Sequence, residues 1–451
     1  LTERIVTASD PDQAYALYLP PGYDAERLWP VLVVMDARGR ALPAAERFLP
    51  AAERLGWVVV SAYGTESDTG LEPNQKALAA VLPDMAARVA EDPNRLYFAG
   101  FSGTARIAWM IGEQGQGAVA GIVAASGGTI DSRPPKAAPP FAVAATAGRG
   151  DFNHREMLRV AEALDEHGGT YRLEIFDGGH EWCPEPVCAR ALGFLELAAM
   201  RQGRRPADPA LVARLLDERL AHARALAEAG DLLAAHEAYS GIARDFEGLI
   251  DTEGYQQARR EAERLGEEGE VRAARRQREH LGQEEERFGG RLTGVLRSFL
   301  GQDLPWPAAR LSREIGLSTL LHRARPEAED RQDADAARRM LAVTYSRLSF
   351  YTARELAEEG DHLRLAVVLE TALEIHDERP HVWYDYACAL ARTARPEAAL
   401  EALETAVDKG FTDLEHLERD EDLESLRELP GYQRLVGRSR TAAPSPPAHR
   451  R

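Results

Sequence analysis

One stretch constrains this chain more than any other: residues 95–106, RLYFAGFSGTAR. Leu96, Tyr97 and Phe98 in a row read as a short buried strand that Gly100 ends. Ser102 follows between glycines, and from Thr104 the spacing of Ala105, Ile107, Ala108 and Met110 is helical. A strand, a tight turn, a serine and a helix in that order force strained dihedrals on the serine. They also demand small neighbours, because strand and helix nearly touch. The serine oxygen is left standing above the sheet edge. The next backbone N–H sits at a helix N-terminus, where negative charge is stabilised.

The surrounding sequence agrees with such a turn. Apolar runs at 14–19, 31–35, 57–62, 118–125, 141–147 and 171–176 read as strands. Helical patterns occupy 43–55, 75–90, 153–167 and 187–200. The run 31–35 is continuously apolar, as a strand buried on both faces requires. Strands and helices alternate, so residues 1–200 are expected to form an α/β domain, a mostly parallel sheet sandwiched by helices.

GFSGT at 100–104 resembles the nucleophile elbow of the α/β-hydrolases, G-x-S-x-G, and YLPPGY at 18–23 resembles the segment after the early strands of many esterases of that fold. The departure is Thr104, where the family has glycine. Either helix and strand stand further apart here, or the hydroxyl finds a local partner. The resemblance implies Ser102 as nucleophile and His180, in the loop DGGHEW after the last strand, as base. His154 and His167, on or at the end of a helix, read as surface residues. For the acid it implies Asp151, in GRGDFN after the strand 141–147. Asp151 also suits a helix cap, Asp131 is the rival one strand earlier, and Asp177 stands too close to the histidine. The chain order Ser102, Asp151, His180 is that of this fold.

The oxyanion hole implied by the resemblance uses the backbone N–H of Gly103 and that of Ala37 or Arg38, in a loop DARGR that replaces a His-Gly segment. Arg38 and Arg40 also suit recognition of a carboxylate, although surface arginines are common. Tyr63, Phe101 and Trp182 flank the site loops and either line a pocket or pack as ordinary core. The resemblance is closest to small lidless esterases, polyhydroxybutyrate depolymerase-like and feruloyl esterase-like. It implies a carboxylic ester hydrolase (EC 3.1.1) acting on a small-molecule ester through an acyl-enzyme, without cofactor. A peptidase with repeat-gated access, and a non-catalytic scaffold, are the alternatives. The histidines are scattered and no HExxH or CxxC pair occurs, so no metal site is expected.

After residue 200 the composition shifts. RQGRRPADP at 201–209 reads as a linker, and 210–437 is Ala-, Leu-, Glu- and Arg-rich with helical periodicity. LETA occurs at 369–372 and again at 403–406, a spacing of 34 residues. With Trp383, Ala387 and Ala399, and with Ala223, Ala235 and Tyr239 earlier, this resembles a tetratricopeptide repeat over 211–246 and 347–410. The stretch 411–435 resembles a capping segment. Such an array implies a protein partner, self-association, or packing onto the first domain. Residues 259–287, dense in Glu and Arg, read as one long solvated helix. The basic, proline-bearing tail 438–451 is expected to be disordered.

A length of 451 residues implies two or three domains, and a net charge of −18 argues against nonspecific binding to nucleic acid or anionic lipid. No apolar run reaches the length of a membrane span. Of three cysteines, Cys388 reads as core, and Cys183 and Cys188 are either a small disulfide clip or two free thiols. That pair and a first residue that is Leu rather than Met lean the expectation towards an extracytoplasmic protein with its leader removed.

Overall fold

The computed structural model describes residues 1–442. The chain divides into two compact units, Leu1–His280 and the residues from Leu281 on. The first is built on one eight-stranded sheet. Its strands are β1 (Thr2–Val6), β2 (Ala14–Tyr18), β3 (Trp29–Met35), β4 (Val58–Ala62), β5 (Glu91–Phe101), β6 (Val119–Ala125), β7 (Ala142–Gly148) and β8 (Tyr171–Phe176). Their order is β1-β2-β4-β3-β5-β6-β7-β8. β2 runs antiparallel to both β1 and β4, and every other pairing is parallel. Every residue of β3, β4, β6 and β7 is buried, as central parallel strands covered on both faces must be.

Alternation along the strands separates two cores. Val31, Val33, Met35 and Phe98 pack against α3 (Glu72–Ala86), α4 (Gly103–Gln114) and α5 (His154–Glu166), which supply Val81, Trp109, Met157 and Leu164. Leu32, Val34, Tyr97 and Ala99 face the other way, onto α1 (Ala41–Glu46), α2 (Leu49–Leu55) and α6 (Glu185–Arg201), with Phe48, Ala52, Leu192 and Leu195. This mixed sheet with helices on both faces is the α/β-hydrolase fold. The helix expected over 43–55 is two helices: Pro50, in the first turn of the second, has no N–H to give the carbonyl four residues earlier, so the hydrogen-bond ladder breaks while the backbone at Arg47 and Phe48 stays helical. The pattern of the sequence does not foretell β1: TERIV is almost entirely exposed and carries no alternating apolar signal.

The segment 201–209 does not act as a linker between compact units. Arg205 is ion-paired with Glu196, a fully buried carboxylate of α6. Arg204 donates to the carbonyls of Asn94 (3.3 Å) and Gly117 (3.2 Å). Beyond it, α7 (Pro209–Glu228), α8 (Leu232–Asp245) and α9 (Glu253–Glu267) continue the first unit. Leu197 and Met200 of α6 share a core with Leu211, Val212 and Leu215 of α7. A buried ionic cluster adds to it: Arg172 of β8 pairs with Asp245, and Glu174 with Arg219 and Arg190. Gly241 is held to glycine by this cluster, since a Cβ there would lie 1.4 Å from the Arg172 guanidinium.

The stretch 259–287 is not one helix. α9 stops at Glu268, whose backbone is extended, and α10 (Gly269–Leu300) starts anew. From Leu281 on, all the described secondary structure is helical, around one core. Helices His362–Leu373, Pro380–Arg392 and Pro396–Asp408 contribute Leu369, Ala372, Ala387, Leu403 and Ala406, each fully buried. Leu417, Leu423, Leu426 and Tyr432 close the same core. Of the tail expected over 438–451, residues 438–442 continue the helix Pro430–Ala442, which ends before Pro444, and the remainder lies outside the described residues. No described helix is long and apolar enough to cross a membrane.

Candidate active site

The turn after β5 puts Ser102 at φ 57°, ψ −122°, a left-handed conformation that a non-glycine residue adopts only under constraint. The constraint is visible on both sides. The Ser102 N–H donates to Ala125 O at the end of β6 (2.8 Å), and Ser102 O accepts from Ala105 N in the first turn of α4 (3.1 Å). Gly100 has no room for a side chain, because a Cβ would meet the Thr104 carbonyl oxygen at 2.2 Å. Thr104, the departure from the elbow pattern, is fully buried. Its hydroxyl contacts Met35 O (2.6 Å) and Phe101 O (2.9 Å) and accepts from Phe101 N (3.0 Å). The threonine therefore ties β3 to the elbow.

The loops after β7 and β8 bring the other two residues to the serine. Gly150 N donates to Gly178 O (2.9 Å) and Arg149 N to Phe176 O (2.8 Å), so the two loops are bonded to each other. His180 Nε2 lies 2.9 Å from Ser102 Oγ, and His180 Nδ1 lies 2.9 Å from Asp151 Oδ1. An ionised carboxylate only accepts, so the proton belongs on Nδ1. Nε2 is then left as the acceptor facing the serine hydroxyl. Asp151 is fully buried, whereas the His180 side chain keeps 19% of its exposure. Asp151 Oδ1 also accepts from Asn153 N (2.8 Å), a turn just before α5, whereas the N-cap position of that helix is Asn153 and has no side-chain cap bond.

The rival acids are elsewhere. Asp131 is exposed and bonded to Thr129 and Arg133. Asp177, also exposed, pairs with Arg149 at 3.1 Å. His154 is not the expected surface residue: it is buried, with Nδ1 3.0 Å from Gly148 O. His167 follows α5 as its C-cap, exposed as expected.

Gly103 opens α4, so its N–H is among the amides a helix start leaves without an intrahelical acceptor. Of the two further donors expected, the Arg38 N–H is already given to Asp36 Oδ1 (2.8 Å). Ala37 remains, in the same turn and nearly buried, and its carbonyl accepts from Ser67 N (3.0 Å). Ser67 carries no signal in the sequence. It sits over Gly103, where an added Cβ would lie 2.4 Å from the Ser67 Cβ.

The expected pocket residues divide. Tyr63 is not at the site: its hydroxyl donates to Glu3 O (2.8 Å), and Arg4 of β1 lies over its ring at 5.1 Å. Phe101 is at the site, its ring 4.8 Å from the His180 ring. Trp182 is buried core behind it, tilted against Phe101 at 5.7 Å and edge-on to Phe48 at 5.8 Å. Phe152, absent from the expected set, stacks on His180 at 4.0 Å. Its adjacency to Asp151 in sequence is the one available signal. Arg40 is committed to Asp36 (3.0 Å), whereas the Arg38 side chain is exposed. Cys183 and Cys188 are free, buried thiols in contact with one another, and burial pushes the Cys188 thiol well up from its ordinary value. Among the described residues one group of metal-capable side chains lies together, Cys388, Asp420 and Asp422, in the helical unit.

Fold and geometry together define the class: an α/β-hydrolase-fold protein with serine, histidine and aspartate in hydrogen-bonded sequence. No family model matches the chain, and no curated protein matches it significantly. Solved structures similar to it include esterases, serine hydrolases and a dipeptidyl peptidase. A ferulic acid esterase is 16% identical, with 43% of this chain and 94% of that one covered and a TM-score of 0.34. S-formylglutathione hydrolase (FrmB) from Staphylococcus aureus is 13% identical, covering 41% of this chain and 90% of that one, TM-score 0.33. The S. aureus fluorophosphonate-binding serine hydrolase FphF is 12% identical, covering 41% and 92%, TM-score 0.34.

Proposed function

We propose that the protein is a serine hydrolase acting on carboxylic esters through an acyl-enzyme. The observation that carries this reading is the unbroken line from Asp151 Oδ1 to His180 Nδ1 and from His180 Nε2 to Ser102 Oγ, each step 2.9 Å. In this mechanism His180 Nε2 takes the Ser102 proton as Oγ attacks the ester carbonyl. Asp151 holds the tautomer and stabilises the imidazolium. The carbonyl oxygen becomes an oxyanion facing the N–H groups of Gly103 and Ala37. The imidazolium then gives its proton to the departing alkoxide, leaving the acyl group on Oγ. Water, deprotonated by His180, releases the acid and restores the serine.

The hydroxyl bonds of Thr104 favour this reading over a bare scaffold, because they give the departure from the glycine pattern a structural role in holding the elbow. Hydrolysis of acyl p-nitrophenyl esters of increasing chain length is the test. Turnover that is lost in Ser102→Ala and in His180→Ala supports the proposal, and turnover that survives either substitution contradicts it. For the helical unit we propose a tetratricopeptide-like array offering a protein-binding or self-association surface. The equivalent burial of Leu369 and Leu403, and of Ala372 and Ala406, supports this.

A further inference from the structure

The turn that follows β3 is wound around one carboxylate. Asp36 is 1% exposed. Its Oδ1 accepts from Arg38 N (2.8 Å), Arg40 N (3.1 Å) and Arg40 Nε (3.0 Å). Its Oδ2 accepts from Arg40 Nη2 (3.2 Å) and from the indole Nε1 of Trp182 (2.8 Å). Its carbonyl accepts from Thr65 Oγ1 (3.0 Å), in the loop that leads to Ser67. A buried carboxylate is costly unless its lone pairs are filled, and here both oxygens are. Burial pushes the Asp36 carboxyl up, but the bonds from Arg40, Trp182 and the two backbone amides outweigh it. They hold the group below its ordinary range, so it is ionised at neutral pH.

Two consequences meet in this side chain. Taking up the Arg38 N–H turns that amide inward, which leaves Ala37 as the donor of the turn. The bond to Trp182 crosses 146 residues of sequence to the loop that carries His180. The Trp182 ring in turn supports Phe101, whose ring contacts His180. Building on the serine-hydrolase reading, we propose that Asp36 is a positioning residue: it sets the oxyanion turn and the His180 loop at fixed distance, so that the proton acceptor and the oxyanion donor are aligned on the same ester carbonyl.

The asymmetry of an amide makes the test sharp. In Asp36→Asn one carboxylate oxygen becomes an NH2, which faces either the Arg38 and Arg40 donors or the Trp182 indole, donor to donor. Misplacing an oxyanion donor costs roughly 10²- to 10³-fold in turnover. The expected result for Asp36→Asn is a fall in kcat of about 10²-fold with KM within a few-fold of wild type, per active site counted by phosphonate titration. Trp182→Phe keeps a ring in the core, removes only the indole donor, and is expected to lower kcat about tenfold. The double variant is expected to lose less than the product of the two, because both cut one link. Should Asp36→Asn not fold, Trp182→Phe alone carries the test through the same kcat-against-KM split. A kcat per titrated site within twofold of wild type in either folded variant overturns the positioning role while leaving the hydrolase reading intact. A folded wild type that no phosphonate titrates contradicts the hydrolase reading itself, and the positioning role with it.

Discussion

The hydroxyl of Thr104 lies 2.6 Å from the main-chain carbonyl of Met35, joining the turn that carries Ser102 to the end of the neighbouring strand β3. The same oxygen accepts the N–H of Phe101, the residue before Ser102. Where the elbow pattern has a glycine, this chain has a buried hydroxyl bonded on both sides. Thr104→Val keeps the shape and leaves Met35 O and Phe101 N without that partner. It is expected to lose about 1–3 kcal/mol of stability in urea unfolding. Thr104→Ser, which keeps the oxygen, is expected to lose clearly less.

Gly103 is pressed by Ser67, and a methyl group there would sit 2.4 Å from the Ser67 Cβ. Gly103→Ala is therefore expected to displace the start of α4 or the loop above it, and to lower ester turnover roughly 10²- to 10³-fold by misdirecting an oxyanion donor. Ser67→Gly in the same chain removes the obstructing Cβ and is expected to restore much of the activity. Kinetics of the single and double variants check this, and a double variant no better than Gly103→Ala contradicts it.

The pair Arg172–Asp245 joins β8 to α8 in a site where both side chains are buried. Asp245→Ala removes the carboxylate that the buried guanidinium is bonded to, leaving it only the more distant charge of Glu174, and is expected to cost about 3–5 kcal/mol. Replacing both partners by apolar residues, Arg172→Met with Asp245→Leu, is expected to cost far less than the single change. Equilibrium unfolding of the two variants decides between them.

Glu174 gives the acid limb of stability. Burial pushes its carboxyl up, but the guanidinium groups of Arg219, Arg190 and Arg172 outweigh it and hold the group at about 2, against 4.5 for a free glutamate. A carboxyl lowered on folding contributes stability that is fully present above the unfolded value and is lost as pH falls towards the folded one. Stability is thus expected to drop between pH about 4.5 and about 2 by on the order of 3 kcal/mol through this group, and Glu174→Gln to flatten that limb. Unfolding curves across that window check the sign.

The residues legible in the sequence share one property: each follows an apolar strand. Ser102, Asp151 and His180 can be read because β5, β7 and β8 announce themselves, and a polar residue in a glycine-rich loop just past such a strand stands at the sheet edge. Asp36 also follows an apolar strand, β3, but its role, like those of Ser67 and Phe152, rests on partners that the local pattern does not show. The partners of Asp36 lie from two to 146 residues away, and nothing local marks its carboxylate as buried. The place of Tyr63 is equally hidden, because its partner, Glu3, lies in an exposed strand with no apolar pattern. The stretch 201–209 has the composition of a linker, yet Arg204 and Arg205 use that polarity to bind the first unit.

The central claim is that Ser102 is an activated nucleophile, and covalent labelling by a fluorophosphonate tests it most directly. The probe phosphonylates a serine only where a base accepts its proton and the oxyanion is held. The account predicts that wild-type protein gains the mass of one phosphonyl group on the peptide containing Ser102, and that Ser102→Ala gains none. An unlabelled, folded wild type, or labelling that persists in Ser102→Ala, would contradict it.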